Sequence, residues 1–174
     1  MSLVSRVGLP TATALAVGLS SSGYFIFSNL GMATYGILPA IETVKVEPGK
    51  ALSLWAFLYE TAAPRFITSA LGSVVGFWTA AYLYTGPSTN IRPYLYGAGA
   101  LCAANIPYTL ATMMANIKVL RGMRDRYVST GAISAEDADD SWKRIQRWKK
   151  QHLVRVGLGL ASYVVGIAAV FQLA

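Results

Sequence analysis

Long uncharged stretches alternate with short charged ones along this chain. Four windows contain no Asp, Glu, Lys or Arg: Val7–Ile41, Phe66–Ile91, Pro93–Ile117 and Val156–Ala174. A bilayer core takes about 20 apolar residues of helix, so the last three windows each supply one crossing. The first is too long for one straight crossing at a rise of about 1.5 Å per residue. Its helix is predicted over 9–30. The following "GMATYGILPAI" is predicted to break, lie at the interface or line a cavity, because Gly31, Gly36 and Pro39 weaken continuous helix. The predicted spans are 9–30, 66–85, 94–117 and 153–173. A removable leader is the rival reading of the N-terminus, where Arg6 precedes an apolar run, but that run continues beyond a leader's apolar core.

The polar stretch 118–151 also has helical order. "NIKVLRGMRDRYVS" can prolong the third helix. "SAEDADDSWKRIQRWKKQH" opens with Ser134 and Asp137 at capping-box spacing, followed by further acids and then a basic part. "STGAIS" between them is the predicted turn. Trp142, Ile145, Trp148 and His152 fall close to one helical stripe. Packing against the third helix or seating among lipid headgroups accounts for that stripe without any chemistry. The predicted fold is all-α: a single integral membrane domain, 1–174, forming a four-helix transmembrane bundle. Helices three and four extend into the cytosol as a hydrophilic hairpin.

Composition agrees with this reading. The 174 residues are 54% hydrophobic and 13% charged, with mean hydropathy +0.44, too apolar for an ordinary soluble domain. The formal charge of +7 could suggest nucleic acid, but the cations gather at the ends of apolar helices, which is a topology signal. Lys118, Arg121, Arg124, Arg126, Lys143, Arg144, Arg147, Lys149, Lys150 and Arg155 flank or fill one loop, against Arg92 alone after the second span. Positive-inside logic puts that large loop in the cytosol of a multi-pass protein, in the endoplasmic reticulum or another endomembrane. The loop Glu42–Arg65 is then cytosolic too, and both termini face the lumen or exterior. The lone Cys102 cannot form an intrachain disulfide and argues against a cysteine metal site. "GSVVG", Gly72–Gly76, can pack helices or subunits, which leaves a homo-oligomer open.

The polar residues of the apolar segments carry the candidate chemistry. Thr109, Thr112 and Asn116 sit at helical spacing in the third span. Trp148, His152 and Arg155 share a face where the fourth begins. Trp55, Tyr59 and Glu60 lie on the same side of the membrane. Polar groups at membrane depth are costly and usually face a bundle interior. Each also has a plain structural reading. Arg155 can snorkel to phosphates, Asn116 can tie two helices, and His152 can be an ordinary interfacial residue.

At these residues the chain resembles the membrane family that includes fungal anthrone oxygenases. "IPYTLATMMANIKVL" and "RWKKQHLVRVGLGLAS" match its Pro-Tyr-Thr, Met…Asn…Leu and Trp…His…Arg elements at Pro107, Tyr108, Thr109, Met113, Asn116, Leu120, Trp148, His152 and Arg155. "ILPAI" at Pro39 and "LWAFLYETAAPRF", with Trp55, Tyr59 and Pro64, extend the likeness over most of the chain. Met114 and Ala115 depart from the family's usual Pro-Thr before the Asn. Glu60 stands where it often has Gly.

The resemblance implies a cofactor-free oxygenase with no metal, whose partners are a lipophilic polycyclic aromatic substrate, O₂ and the bilayer. His152, Arg155 and Asn116 are then the catalytic candidates. The imidazole, titrating near about 6.5 when unperturbed, serves as general base. Arg155 stabilises an enolate, and Asn116 donates to the same oxygen or holds His152. Tyr108 and Tyr59 would bind phenolic oxygens, and Trp148 and Trp55 would offer flat faces to the rings. Thr109, Thr112 and Met113 complete the substrate-binding candidates. The rival class is a non-enzymatic four-span scaffold or lipophilic-ligand binder. Transport fits less well, because the spans lack charges and the polar cluster sits at one end.

Overall fold

The computed structural model describes residues 3–86 and 91–173. Residues 87–90, near the end of the window Phe66–Ile91, and the outermost residues of the 1–174 frame lie outside the described residues. Among the described residues the secondary structure is wholly helical: α1 Leu3–Val7, α2 Leu9–Thr34, α3 Ile37–Val44, α4 Pro48–Leu83, α5 Ile91–Ala103, α6 Asn105–Tyr108, a π-helical turn Thr109–Met113, α7 Met114–Thr130 and α8 Ala135–Phe171. Among the described residues, three helices are long and apolar enough to cross a membrane: Leu9–Val44, with α2 and α3 taken together, Pro48–Leu83 and Ala135–Phe171. Phe27, Val75, Tyr82, Val164 and Phe171 are exposed on them, as lipid-facing side chains should be.

The predicted break after the first apolar helix lies at Tyr35–Gly36, with α3 beyond it. The segment Glu42–Arg65 corrects the expectation of a loop, because α3 runs to Val44 and α4 starts at Pro48. Proline is well suited to a first helical turn, where its missing N–H has no intrahelical partner and its φ is preset. Lys50, Glu60 and Arg65 end the apolar window without ending the helix. Charge limits what can sit in lipid, not what can be helical.

The predicted span 94–117 is helical but interrupted. Pro107 has no N–H for the carbonyl of Ala103, four residues earlier, and its ring crowds that carbonyl. Helix α5 ends at Ala103. The Asn105 side-chain amide donates to the carbonyl of Cys102 at 3.1 Å, satisfying a group near the break. The wider turn Thr109–Met113 follows, its bond running from the Met114 N–H to the Thr109 carbonyl. Such turns are rare and frequent at functional sites.

The chain divides into two compact units. One comprises residues 1–28, 66–106 and 156–174. Its core is built from Leu15, Phe77, Ile91, Leu95, Ala98 and Ala169. Helices α2 and α4 approach closely within it, since a Cβ on Gly76 would meet the backbone of Gly18, and one on Gly72 would meet the Ser21 hydroxyl. The "GSVVG" element therefore packs helices inside this unit. In "GLGLAS", Gly159 lies against the Phe25 ring, a packing role.

The second unit comprises residues 29–65 and 107–155 and holds every candidate site residue. Its frame is the hairpin of α7 and the first half of α8. Gly131, at φ +70°, ends α7 in the left-handed conformation that glycine adopts without penalty. Ser134 then caps α8 by accepting the Asp137 N–H at 3.0 Å, as the sequence spacing predicts. Arg126 bonds Asp137 at 3.0 Å across the turn.

Candidate functional site

The site grows from two i, i+4 aromatic pairs. On α8, Trp148 and His152 stack with ring centres 4.9 Å apart and planes 10° from parallel. On α4, Trp55 and Tyr59 stack at 5.6 Å and 11°. Residues four apart share a helix face, so each pair is a local consequence of sequence. The two pairs meet through Trp55 and Trp148, edge to face at 5.9 Å and 87°. The result is a continuous column, Tyr59–Trp55–Trp148–His152. Trp55 and His152 are 0% exposed and Trp148 1%.

Charged groups clamp the column. The Arg121 guanidinium lies 5.1 Å from the centre of the Tyr59 ring. Glu60 accepts from Arg124 at 2.9 Å and pairs with Arg121 at 3.6 Å. Glu60, the departure from the family's usual Gly, thus anchors α4 to α7. Burial alone would lower the pKa of Arg124, but its bonds to Glu60 and Asp125 outweigh it and hold the guanidinium above the usual arginine range. On the other side Glu42 accepts from Lys149 at 2.7 Å and from Gln146 at 2.7 Å, fastening α3 to α8 beside Trp148.

The π turn contributes the third wall. The Thr112 hydroxyl donates to the Tyr108 carbonyl at 2.7 Å. The Gln151 side chain donates to the Thr112 carbonyl at 2.8 Å, and the Tyr108 hydroxyl donates to the Gln151 carbonyl at 3.3 Å. These bonds seat the turn against the residue next to His152, with Met113 fully buried. Arg155, half-buried, interacts electrostatically with Tyr59 and Tyr108 and also with His152. Neither ring nitrogen of His152 makes a hydrogen bond of good geometry. The Asn29 main-chain carbonyl interacts with the ring more loosely.

His152, Arg155, Tyr59, Tyr108, Trp55 and Trp148 are therefore brought together. Three expectations need correction. Asn116 is buried, but its amide donates to the Arg144 carbonyl at 3.0 Å and its oxygen accepts from the Arg144 guanidinium at 3.5 Å. Arg144 lies two turns before His152, about 12 Å at the α-helical rise, so the carboxamide does not reach the imidazole. Thr112 is exposed, with its hydroxyl spent on its own helix. Thr109, half-buried, follows Tyr108 in the same turn. The tryptophans do not offer free flat faces either, because both are buried, Trp55 stacked on Tyr59 and Trp148 on His152. Glu42, Gln151 and Arg121 had not been singled out. Gln151 was discoverable as a neighbour of His152, but nothing in the sequence pairs Glu42 with Lys149, 107 residues away. Among the described residues no three His, Cys, Asp or Glu side chains gather as a metal ligand set.

Comparison with known proteins gives one family. The family described as anthrone oxygenase matches residues 55–165, a stretch that contains every candidate site residue. No curated protein and no solved structure matches the chain.

Proposed function

The chain belongs to the anthrone oxygenase family, and from that premise we propose that it oxidises an anthrone-type polyketide to the anthraquinone with O₂ and no cofactor. The observation that carries the reading is the buried His152 imidazole, its nitrogens uncommitted to close hydrogen bonds, beside a guanidinium and two phenols. An anthrone has an acidic CH₂ between two aromatic rings. His152 takes one proton from that carbon and leaves an anthranolate. Arg155, with Tyr59, stabilises the charge that develops on oxygen. The anthranolate passes one electron to O₂, and the resulting radical pair recombines to a peroxide at the same carbon. Loss of water from that peroxide forms the second carbonyl. One O₂ is consumed, with one oxygen atom in the quinone and the other in water.

In this reading Asn116 is a positioning residue that acts by fixing α7 to α8. The apolar segment from α5 through the π turn is the remaining membrane crossing, which completes a four-span bundle with the α7–α8 hairpin in the cytosol. A lipophilic polyketide then enters from an endomembrane such as the endoplasmic reticulum, which is the advantage of building the enzyme in lipid.

The test is oxygen uptake by purified, chelator-treated, flavin-free protein supplied with an anthrone. Stoichiometric uptake with anthraquinone formation, abolished in His152→Ala, is the expected result. Undiminished turnover in His152→Ala would remove the imidazole from the mechanism. No uptake in the wild type, with retained binding of a polycyclic phenol, would move the protein to a binding role.

A further inference from the structure

Resting on the anthrone-oxidising reading, we propose that the indole N–H groups of Trp55 and Trp148 are hydrogen-bond donors to oxygens of the bound substrate. Both side chains are fully buried, and neither Nε1 finds an acceptor in the protein. Buried donors without partners are rare in folded proteins, because each keeps its desolvation penalty. Phenylalanine would keep an aromatic ring at either position without that penalty. Two such donors in touching rings, next to an imidazole that makes no close hydrogen bond, mark a place that a polar ligand completes.

The geometry narrows the ligand. Trp55 stacks on Tyr59 and Trp148 on His152, and each donor acts from its ring edge. An indole N–H lies in the plane of its ring. They suit oxygens carried on one rigid frame. His152, stacked on Trp148, then faces a hydrogen it can remove. A polycyclic aromatic ketone with a hydroxyl on a neighbouring ring position has both features. A hydrocarbon would leave both donors unmet. The tryptophans thereby select substrate by their edges rather than by stacking.

The experiment uses the full chain in detergent or nanodiscs and two probes with the same ring frame. One is 1,8-dihydroxyanthraquinone, which carries ketone and phenol oxygens and is not turned over. The other is anthracene, which carries none. The variants are Trp55→Phe and Trp148→Phe. Replacement of each tryptophan by 3-benzothienylalanine, which keeps the bicycle and exchanges N–H for sulfur, covers the case in which a phenylalanine variant does not fold. Each change is expected to weaken binding of the dihydroxyquinone about five- to tenfold, the worth of one hydrogen bond, and to leave anthracene binding unchanged. Equal losses for both probes, or no loss in the benzothienyl variants, would overturn the donor role. Quinone binding in His152→Ala keeps the two readings separate. If that variant still oxidises anthrone while the N–H dependence of binding persists, the catalytic reading fails and this one stands.

Discussion

The Trp148 ring lies flat on the His152 imidazole, 4.9 Å from centre to centre and 10° from parallel. One full helical turn separates the two residues, and Trp55 meets the same indole edge to face. Packing sets the orientation of the imidazole, with only a loose contact from the Asn29 carbonyl beside it. A base held in this way keeps its nitrogens available to a substrate.

Removing the indole should disturb both fold and chemistry. Trp148→Ala is expected to cost about 3–5 kcal/mol of stability, the usual range for emptying a buried tryptophan site. Trp148→Phe, which preserves a stacking ring, should lose clearly less. Thermal unfolding in detergent measures both. Equal stability of wild type and Trp148→Ala would contradict a packed column.

As a general base the imidazole works only when neutral. Catalytic efficiency should fall as pH drops and His152 takes up a proton, and should rise to a plateau above that titration. In His152→Gln the residual rate should lose this acid limb. A kcat/KM profile with an unchanged acid limb in the variant would assign the titration to another group.

Asn116 distinguishes a helix tie from a catalytic amide. Asn116→Ala removes the tie from α7 to the Arg144 carbonyl and guanidinium and should destabilise the fold by about 0.5–1.5 kcal/mol. The folded fraction should retain far more activity than His152→Ala does. Turnover as low as in His152→Ala, at full stability, would return the carboxamide to the reaction itself.

The Glu42 cluster is a partly exposed clamp, with side chains 29% and 27% accessible for Glu42 and Lys149. Solvent screening keeps such pairs weak, so Glu42→Gln should cost no more than about 1 kcal/mol. Glu42→Lys should cost more, because it sets a cation against Lys149. A melting series in rising salt should shrink the difference between wild type and Glu42→Gln.

In the other unit the α2–α4 crossing has no room to spare. Gly76→Val places side-chain atoms on the Gly18 backbone and should destabilise by about 1–3 kcal/mol through overpacking. Gly157→Ala, at a position with no neighbouring atoms, is the matched control and should be neutral or slightly stabilising, since alanine is the better helix former.

Much of the site was legible along the chain. Trp148 and His152 are four apart on a predicted helix, so their stacking follows from helical periodicity, and Ser134 and Asp137 announced the start of α8. The Trp55–Tyr59 pair was not legible, because its segment reads as a loop, nor was the break at Pro107, because its apolar window reads as one continuous span. The π turn was not legible, because a single widened turn leaves no mark in the hydrophobic pattern. Nor was the extent of α4, whose lower half looked like a loop only because it carries charge.

The amino-acid order alone determined which segments are helical, which are apolar enough for lipid, and which side chains share a helix face. These properties depend on neighbours within a turn or two, where backbone geometry leaves little choice. The tertiary structure decided that Trp55 meets Trp148, that Glu42 reaches Lys149, and that Asn116 answers to Arg144 instead of His152. Those pairings depend on the rotation and offset of whole helices against one another. Many side-chain contacts set that offset together, and no short stretch of sequence encodes it.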